Sequence, residues 1–518
     1  MKKLIIYFIG IVSVIGLNSC NSLNLSPIDY FGSGNYWSNE AQVSSFMVGL
    51  HSQLRNQYQY LFLLGEARGG TLKNGTSSQN TSINYSSPII VNAFTNAATG
   101  VTNWCGFYGP ILDINLFINE VENNCKFLPT ADKDYFLGQA YGLRAFYYFL
   151  LYRTYGGVPI VTKPDVMNGV TNAKDLYVKR NTAKETMDFI KSDIDKSIAD
   201  FGTNTTINGN KSQWSLAASL MLKGEVYLWS GKVTTDDQSP AANNADIQTA
   251  ESALLQVKGM GFSLMPNFKD VIPSKGNNEI IFALRFADGE ASNWYNNFLY
   301  QDNVFLNQVY GRNGQLISKD TLNLKSTGIQ REEYKNEFWQ SFDSTDTRRD
   351  ITFMDYYNNS GQLIGSVMKK FIGIINSTGN RVYVDDIPVF RYAETLLMLA
   401  ECENMLGHDP SQYINEVRQR AYGVNWDSAK YGCTNQGFAQ NELAILHEYD
   451  KEFVGEGQRW FDLVRMHDAS GNSLAFSSAA DYPATSPVLE SSESYMLLWP
   501  IDVNTLNGNP LLTQNPGY

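Results

Sequence analysis

A long helix with aromatic and small residues along one stripe is the sequence feature that most constrains the fold. The segment is LGQAYGLRAFYYFLLYRTY. Its stripe recurs at steps of three and four residues and consists of Leu137, Tyr141, Ala145, Tyr148 and Tyr152. That spacing places them on one face of an α-helix. The sequence GGVP follows directly, and glycine and proline in this position predict the end of the helix.

Similar patterns along the chain predict a predominantly α fold. They occupy residues 39–57, 104–123, 181–200, 215–232, 246–258, 390–406, 411–421 and 440–466. Helices in pairs, with small residues on the packing stripe, are typical of tetratricopeptide-type repeats, although no strict repeat period is present. We therefore predict a tetratricopeptide-like helical-repeat scaffold with long irregular insertions and minor β-structure.

Long polar segments separate these helices. They are rich in Asn, Ser, Thr and Gly and cover residues 71–87, 202–213, 232–246 and much of 286–380. Loops longer than about 12 to 15 residues in a compact protein are either functional or disordered. The run EIIFALRF, residues 279–286, is strand-like and predicts a little β-structure.

The N-terminus predicts an exported, lipid-anchored protein. A basic head precedes an apolar stretch from Leu4 to Leu17, which is shorter than the roughly 20 residues that span a bilayer. This pattern is typical of an export signal, so residues 1–19 are set apart from the fold. The sequence LNSC resembles a bacterial lipobox, in which Cys20 becomes the acylated first residue of the mature chain. The alternative is ordinary signal cleavage with an incidental thiol.

Charge and residue counts argue against several functions. The formal net charge is −12, which gives no electrostatic reason to bind a polyanion, so nucleic-acid binding is disfavoured. With 4 His and no C-x-x-C pair, zinc-type spacing is absent and no cofactor is predicted. Cys105 and Cys125 would lie about 30 Å apart on one helix, beyond disulfide reach, so isolated buried thiols are expected. Asp and Asn residues in loops can bind calcium without a linear motif, so the sequence leaves the question of a calcium site open.

Signals for catalysis are weak. The sequence HEYDK begins like a zinc-protease motif, but lysine stands where the second ligand is required. Glu448, Glu452 and Glu456 are spaced to share one helical face, and paired carboxylates can hydrolyse glycosidic bonds. With Arg459 one turn beyond, the same spacing is more typical of an ion-paired structural face, which is the interpretation we favour.

Five segments carry a specific resemblance to a known family. They are residues 138–161, 390–407, 414–423, 442–466 and 499–518, and the last two contain WFDLVRM and QNPGY. Together with the lipobox and the pattern of Trp104, Tyr108 and Asn115, they resemble the SusD/RagB family of Bacteroidetes outer-membrane lipoproteins. The similarity runs from the start of the mature chain to Tyr518.

The resemblance implies a function as well as a fold. It implies a surface-exposed glycan-binding protein at the outer membrane, on a tetratricopeptide-like scaffold and without catalysis. The implied partner is a SusC-like TonB-dependent transporter, to which the protein delivers oligosaccharides. Residues 20–518 would form a single SusD-like domain with ligand-binding insertions around 71–104 and 286–380. The chain departs from the family pattern at Cys402, Tyr449 and Asp502, all in segments predicted to be structural.

Candidate ligand residues are concentrated in one insertion. Sugar binding needs flat aromatic faces, and it needs groups that both donate and accept hydrogen bonds, as Asn and Gln do. The irregular stretch 290–314 supplies both, and binding sites usually lie on such stretches. The candidates are Trp294, Tyr295, Tyr300, Tyr310, Asn293, Asn296, Gln301 and Asp302. The alternative, equally supported, is that these rings form the small core of a long insertion.

A second candidate surface is the 71–87 loop with Tyr85, followed by Phe94 and Trp104. Trp104 is predicted to begin an amphipathic helix, so its alternative role is to staple the start of that helix. The function predicted from these features is capture of oligosaccharides by a lipid-anchored, non-enzymatic protein. Two alternatives stay open: a lipid-anchored glycoside hydrolase that uses Glu448 or Glu456, and a surface scaffold or adhesin with a protein partner.

Overall fold

The computed structural model describes residues 36–75, 86–166 and 169–518. Its helices are α1 (Glu40–Asn56), α2 (Tyr58–Gly65), α3 (Ser86–Ile90), α4 (Tyr108–Asn123), α5 (Thr130–Tyr155), α6 (Ala183–Phe201), α7 (Leu216–Lys232), α8 (Ala245–Lys258), α9 (Asp302–Phe305), α10 (Asn336–Gln340), α11 (Thr347–Thr352), α12 (Tyr392–Leu406), α13 (Ser411–Tyr422), α14 (Ser428–Tyr431), α15 (Phe438–Glu452), α16 (Arg459–Arg465) and α17 (Val503–Gly508). Within these ranges, none of the helices has both the length and the apolar character that crossing a bilayer requires.

Helix α5 lies at the centre of the scaffold. Every residue from Phe136 to Tyr155 is buried, although the sequence predicted only one apolar stripe. The reason is that α4, α6 and α7 all pack against it. A helix that is covered on all sides is a core helix, and its polar side chains must then find partners inside the protein.

Helix pairs build the rest of the scaffold. α5 packs against α6, α7 against α8, and α12 against α13, which confirms the predicted helical-repeat architecture. Local sequence specifies where these helices begin. At the start of α6, the Thr182 hydroxyl accepts a hydrogen bond from Glu185 N at 3.1 Å, and Thr182 N donates to Glu185 Oε2 at 3.0 Å. This reciprocal capping box satisfies two main-chain donors that the helix itself leaves free.

The predicted helical segment 440–466 is divided in two. α15 ends at Glu452 and α16 begins at Arg459. Between them, Gly455 and Gly457 have φ angles of 77° and 82°, a left-handed conformation that a right-handed helix cannot include. Glu456 therefore lies in the connection, off the helical face that the spacing predicted for it.

A buried ion-pair network nevertheless joins these acids. Arg391, at the end of the last strand before α12, donates to Glu452 Oε1 at 2.7 Å and to Glu456 Oε2 at 2.8 Å. It also donates to Glu279 Oε1 at 2.8 Å. All four side chains are buried. The interpretation of these acids as ion-paired structural groups is therefore the one that the geometry supports.

The β-structure is minor. The strands are β1 (Leu72–Asn74), β2 (Ile280–Leu284), β3 (Glu332–Tyr334), β4 (Phe353–Tyr357), β5 (Leu363–Met368), β6 (Ile374–Ile375), β7 (Arg381–Val382) and β8 (Ile387–Arg391). Among the described residues they form antiparallel pairs, β1 with β3, β2 with β8, β4 with β5 and β6 with β7. β2 confirms the strand-like run at 279–286, and its pairing places Ile280 opposite Arg391.

The insertion 286–380 has a small core of its own. Its buried members, together with the nearby Tyr383, are Leu299, Tyr300, Phe305, Val309, Leu324, Tyr356 and Val367. The thiols of Cys105, Cys125 and Cys402 are free and buried, as expected, whereas that of Cys433 is free and partly exposed. Cys402, one of the departures from the family pattern, is fully enclosed in α12.

Candidate functional site

The predicted aromatic ligand residues of the insertion are mostly buried. Trp294, Tyr295 and Tyr300 are only 8%, 3% and 0% exposed. The Trp294 ring lies 5.1 Å from that of Phe62 and is stacked with Tyr295 at 5.5 Å. Tyr300 stacks on Phe305 at 4.3 Å. Protein therefore covers the ring faces that a sugar would need, which favours the alternative that these rings are core residues.

The polar candidates of the same stretch divide into buried and accessible groups. Asn293 is buried, and its Nδ2 donates to Asp385 O at 3.0 Å while its Oδ1 accepts from Tyr295 N at 3.2 Å. Asn296, Gln301 and Asp302 are partly exposed. Within the described part of the chain, their hydrogen bonds are to residues of their own insertion, and for them a ligand role stays a prediction.

Three further candidates are Tyr310 of the first surface, Tyr85 of the second surface and Cys20, the proposed lipidation site. Tyr310 is partly exposed, and its main-chain N donates to Tyr357 O at 2.8 Å. Tyr85 and the lipidation candidate Cys20 lie outside the described residues. A ligand role for Tyr310 and Tyr85 and the acylation of Cys20 stay predictions.

Trp104 lies in an unusual turn and not, as the sequence predicted, in the first turn of a helix. Helix α4 begins only at Tyr108, and the preceding residues from Asn103 to Gly106 have φ angles of 51°, 51°, 58° and 71°. This left-handed turn costs roughly 1 to 2 kcal/mol for each residue other than glycine. A bulky tryptophan in this region is a true outlier, and such strained residues tend to occur at functional sites.

Neighbouring side chains enforce the turn. Asp502 Oδ2 accepts a hydrogen bond from Asn103 N at 2.8 Å. The Trp104 ring packs edge-to-face against Tyr155, with centroids 4.9 Å apart. Cys105 Sγ lies 3.7 Å from Tyr155 Oη, and burial raises the pKa of this thiol to about 12, so it stays protonated. These contacts hold the main chain in a conformation that it would not adopt alone.

Asp502 also explains one departure from the family pattern. It is the N-cap of α17, where its Oδ1 accepts from Thr505 N at 3.0 Å and its Oδ2 accepts from Thr505 Oγ1 at 2.6 Å. An aspartate at this position satisfies the free donors of the helix start. The same carboxylate thus joins α17 to the left-handed turn, about 400 residues earlier in the chain.

An open groove lies between this turn and α17. We call it the Trp104 groove; its volume is about 550 Å³. Its apolar wall consists of Tyr108, Val161, Val178 and Leu512; Trp104 and Pro159 also border the groove but are buried, and the Trp104 side chain is only 7% exposed. The Tyr108 hydroxyl donates to Pro159 O at 2.7 Å and so fixes part of this wall. The volume lies within the range of roughly 300 to 1,000 Å³ that is usual for small-molecule sites.

The other side chains that line the Trp104 groove are polar. They come mainly from α17 and the residue that follows it, with Asn504, Thr505 and Asn509, and Asn103 adds an amide from the turn. The sequence analysis did not single out these residues for ligand binding. Of the residues that line this groove, only Trp104 was proposed as a ligand contact. The segment 499–518 was interpreted as a family signature, and its separation from residue 103 along the chain gave no indication that the two are in contact.

The acids proposed for hydrolysis are inaccessible. Glu448 is buried, and its carboxylate accepts from Arg348 Nη1 and from Arg418 Nε, both at 2.7 Å. Burial alone would raise the pKa of Glu448, but the two guanidinium groups outweigh it and lower the pKa. A general acid needs the opposite shift and contact with substrate. Glu456 is paired with Arg391 in the network described above.

Asp462 and Glu394 are carboxyl groups with a raised pKa, but the cavity beside them lacks space for a sugar. Burial raises the pKa of Asp462 to about 7, and it raises that of Glu394 as well. Both line an interior cavity of about 50 Å³, together with Arg153 and Glu225. That volume holds a few water molecules. Within the described ranges, no group of three His, Cys, Asp or Glu residues is placed to hold a metal ion.

Comparisons with known proteins agree with the scaffold. The family model described as "SusD family" matches residues 359–518, and that described as "Starch-binding associating with outer membrane" matches residues 34–223. A crystal structure of a SusD superfamily protein from Bacteroides fragilis has a TM-score of 0.87 and 40% sequence identity, and the match covers 93% of this chain and 100% of that one.

Two curated relatives extend the comparison. SusD-like protein P38 of Formosa agariphila is 26% identical over 535 residues, which cover 100% of this chain and 99% of the relative. The starch-binding protein SusD of Bacteroides thetaiotaomicron is 34% identical over 133 residues, which cover 26% of this chain and 22% of the relative.

Fold and groove first define the class of protein, a tetratricopeptide-like helical scaffold with an open surface groove. The chain belongs to the SusD family, as the match at 40% identity over 93% of this chain establishes. Among these relatives, SusD of Bacteroides thetaiotaomicron is a starch-binding protein, and the matched family is associated with the outer membrane, which is accordingly the location of this chain.

Proposed function

We propose that this chain is a cell-surface lipoprotein that captures oligosaccharides and delivers them to a SusC-like TonB-dependent transporter in the same membrane. Membership in the SusD family is the observation that carries the proposal. The geometry supports binding without catalysis, since the acids considered for hydrolysis are either ion-paired or enclosed. The open groove beside Trp104 offers a surface on which a ligand can be held.

Glycan binding without hydrolysis is the first expected result. The full-length protein, purified in a detergent without a sugar headgroup, should bind part of a glycan array saturably, and it should release no reducing ends from the bound glycans. Release of reducing ends would contradict the proposal. If a Glu456→Gln variant abolished that release, the glycoside hydrolase alternative would replace the proposed function.

Membrane attachment through Cys20 is the second expected result. Acylation adds roughly 0.8 kcal/mol of membrane affinity for each buried CH₂ group, so a protein that carries more than one acyl chain is stably anchored. A Cys20→Ala variant should therefore move from the membrane fraction to the soluble fraction of cells. Cys433→Ala, which alters a partly exposed thiol of the folded chain, is the matched control and should stay in the membrane fraction. Retention of Cys20→Ala in that fraction would contradict lipid anchoring at this residue.

Delivery to a transporter predicts a physical complex. Detergent-solubilised membranes should yield the lipoprotein together with a TonB-dependent transporter when either one is purified. Isolation of the lipoprotein with a different protein, and never with a transporter, would favour the scaffold or adhesin alternative.

A further inference from the structure

We propose that the Trp104 groove is the saccharide site of this protein and that it selects short, uncharged oligosaccharides. The inference rests on the proposed function, because it names the site and the class of the glycan that is captured. Four features of the described residues carry it: the charge of the groove, its free amides, its apolar wall and the enforced turn.

The charge of the groove selects against ionic sugars. Among the described residues that line it, Asp502 is the one acid, and none is Lys or Arg. The Asp502 carboxylate already accepts three hydrogen bonds, from Asn103 N and from both the main chain and the hydroxyl of Thr505. An anionic sugar would therefore lose hydration free energy without gaining an ion pair, because no cation is among the described residues of the groove. A cationic sugar would meet only the Asp502 carboxylate, whose oxygens already accept hydrogen bonds from the protein. Hydroxyl and acetamido groups carry neither penalty.

The nearby arginine does not change this balance. Arg180 donates to the main-chain oxygens of Tyr155 and Gly157, each at 2.7 Å, and to Thr513 O at 3.0 Å. It also donates to Asn515 Oδ1 at 2.7 Å. Its guanidinium thus binds the C-terminal segment to the end of α5 and is not offered to a ligand.

Two amides that line the groove are available for sugar hydroxyls. The side chains of Asn103 and Asn504 are exposed, and neither forms a hydrogen bond with another residue in the described part of the chain. Each amide can donate and accept at once, which matches the hydroxyl group of a sugar. Asn509 differs, because its Nδ2 donates to Val178 O at 2.8 Å and its Oδ1 accepts from Leu511 N at 3.1 Å. Asn509 therefore shapes the rim, while the two free amides can bind ligand.

The apolar wall complements the C–H face of a sugar ring. Tyr108 and Val161 are partly exposed, and Val178 is 41% exposed at the rim. These side chains offer apolar surface in the same groove as the amides. A ligand that covers Val178 and the free amides would bury apolar and polar surface together, as short oligosaccharides require.

The enforced turn gives the groove a fixed shape before ligand arrives. Asp502 and Tyr155 hold Asn103 and Trp104 in the left-handed conformation, as described above. A site that is already ordered loses less conformational entropy on binding. The strain of the turn thus has a function: it presents the Asn103 amide toward a ligand from a rigid main chain.

Filling the groove provides the decisive test. Gly508 lines the groove, and a Cβ atom added there meets no atom within 4 Å, so Gly508→Phe should fold normally and add a bulky ring at the edge of the site. Gly49, in α1, also has no atom within 4 Å of an added Cβ and does not line the groove, so Gly49→Phe is the matched control. Asn504→Ala removes one free amide without adding volume.

The full-length protein and its variants are compared on an array of neutral gluco-, manno-, galacto- and N-acetylglucosamine oligosaccharides and of uronic, sulfated and sialylated ones. Calorimetry then measures affinity for the best neutral ligand, with thermal unfolding as the check on folding. We expect neutral ligands to dominate, Gly508→Phe to weaken binding at least about tenfold, Asn504→Ala to weaken it about three- to tenfold, and Gly49→Phe to leave it unchanged.

Each other outcome overturns a defined part of the inference. Unchanged affinity in folded Gly508→Phe would remove the site and leave the proposed function standing. Preference for anionic sugars would remove the ligand class. If the unaltered protein bound no glycan on the array, the proposed function would fail together with the inference.

Discussion

Replacement of Glu452 by glutamine is expected to lower the free energy of unfolding by about 3 to 5 kcal/mol. The Glu452 carboxylate is fully buried and accepts from Arg391 Nη1 at 2.7 Å, from Arg348 Nη1 at 3.0 Å and from Arg420. Burial alone would raise the pKa of Glu452, but these guanidinium groups outweigh it and lower the pKa. Glutamine keeps the shape and removes the charge, so the buried guanidinium groups lose a shared counter-ion.

Chemical denaturation followed by circular dichroism measures this loss. The matched control is Asp188→Asn, which makes the same acid-to-amide change in an exposed pair, Lys184 Nζ to Asp188 Oδ2 at 2.6 Å. Solvent screens that pair, so the control should leave stability unchanged. Equal stability of the Glu452→Gln protein and the control would show that the network does not stabilise the fold.

Replacement of Gly65 by alanine is expected to destabilise the fold by about 3 kcal/mol or more. Gly65 ends α2, and an added Cβ would lie 1.7 Å from Gly457 O and 2.6 Å from Gly457 C. These are main-chain atoms of the connection between α15 and α16, so no side-chain rotation can relieve the clash. Either α2 or the connection would have to move, and the contacts of both would weaken.

Gly49→Ala provides a control with the opposite sign. Gly49 lies in the middle of α1 on its exposed side, with no atom within 4 Å of an added Cβ. Alanine restricts the unfolded chain there and should raise stability by about 0.5 to 1 kcal/mol. Thermal unfolding of the two variants should shift in opposite directions. A small, equal shift in both would contradict the close packing of α2 against the connection.

Elements with local signals could be predicted closely. The positions of α5, α6, α12 and α13 could be predicted because the spacing of apolar residues, the capping residues and the terminal glycines all lie within or beside each helix. The division of the 440–466 pattern was missed, because apolar spacing continues across Gly455 and Gly457 while only the main-chain conformation ends the helix. Glu448 and Glu456 do form ion pairs, as the sequence predicted. Their partners, Arg348 and Arg391, are distant in the chain, so the spacing of residues along one helix could not identify them.

The candidate site was predictable only in part. Aromatic and amide residues around 294 were recognised as suitable for sugars, but their burial depends on Phe62 and on Phe371, whose ring stacks on Tyr295 at 4.3 Å. Composition cannot reveal which ring faces remain open, since distant elements cover them. Trp104 was proposed as a candidate from its residue type and position, yet the polar residues that line the same groove come mainly from α17, near the other end of the chain.

The sequence by itself determined the helical scaffold and the family, because spacing, caps and the C-terminal signatures are local properties of the chain. The tertiary structure alone decided which polar groups are available. Asp502 reaches Asn103 across about 400 residues and holds Trp104 in a left-handed turn, while Glu452 reaches three arginines from separate elements. Contacts between remote segments decide burial, strain and pairing, so they also decide where an oligosaccharide can bind.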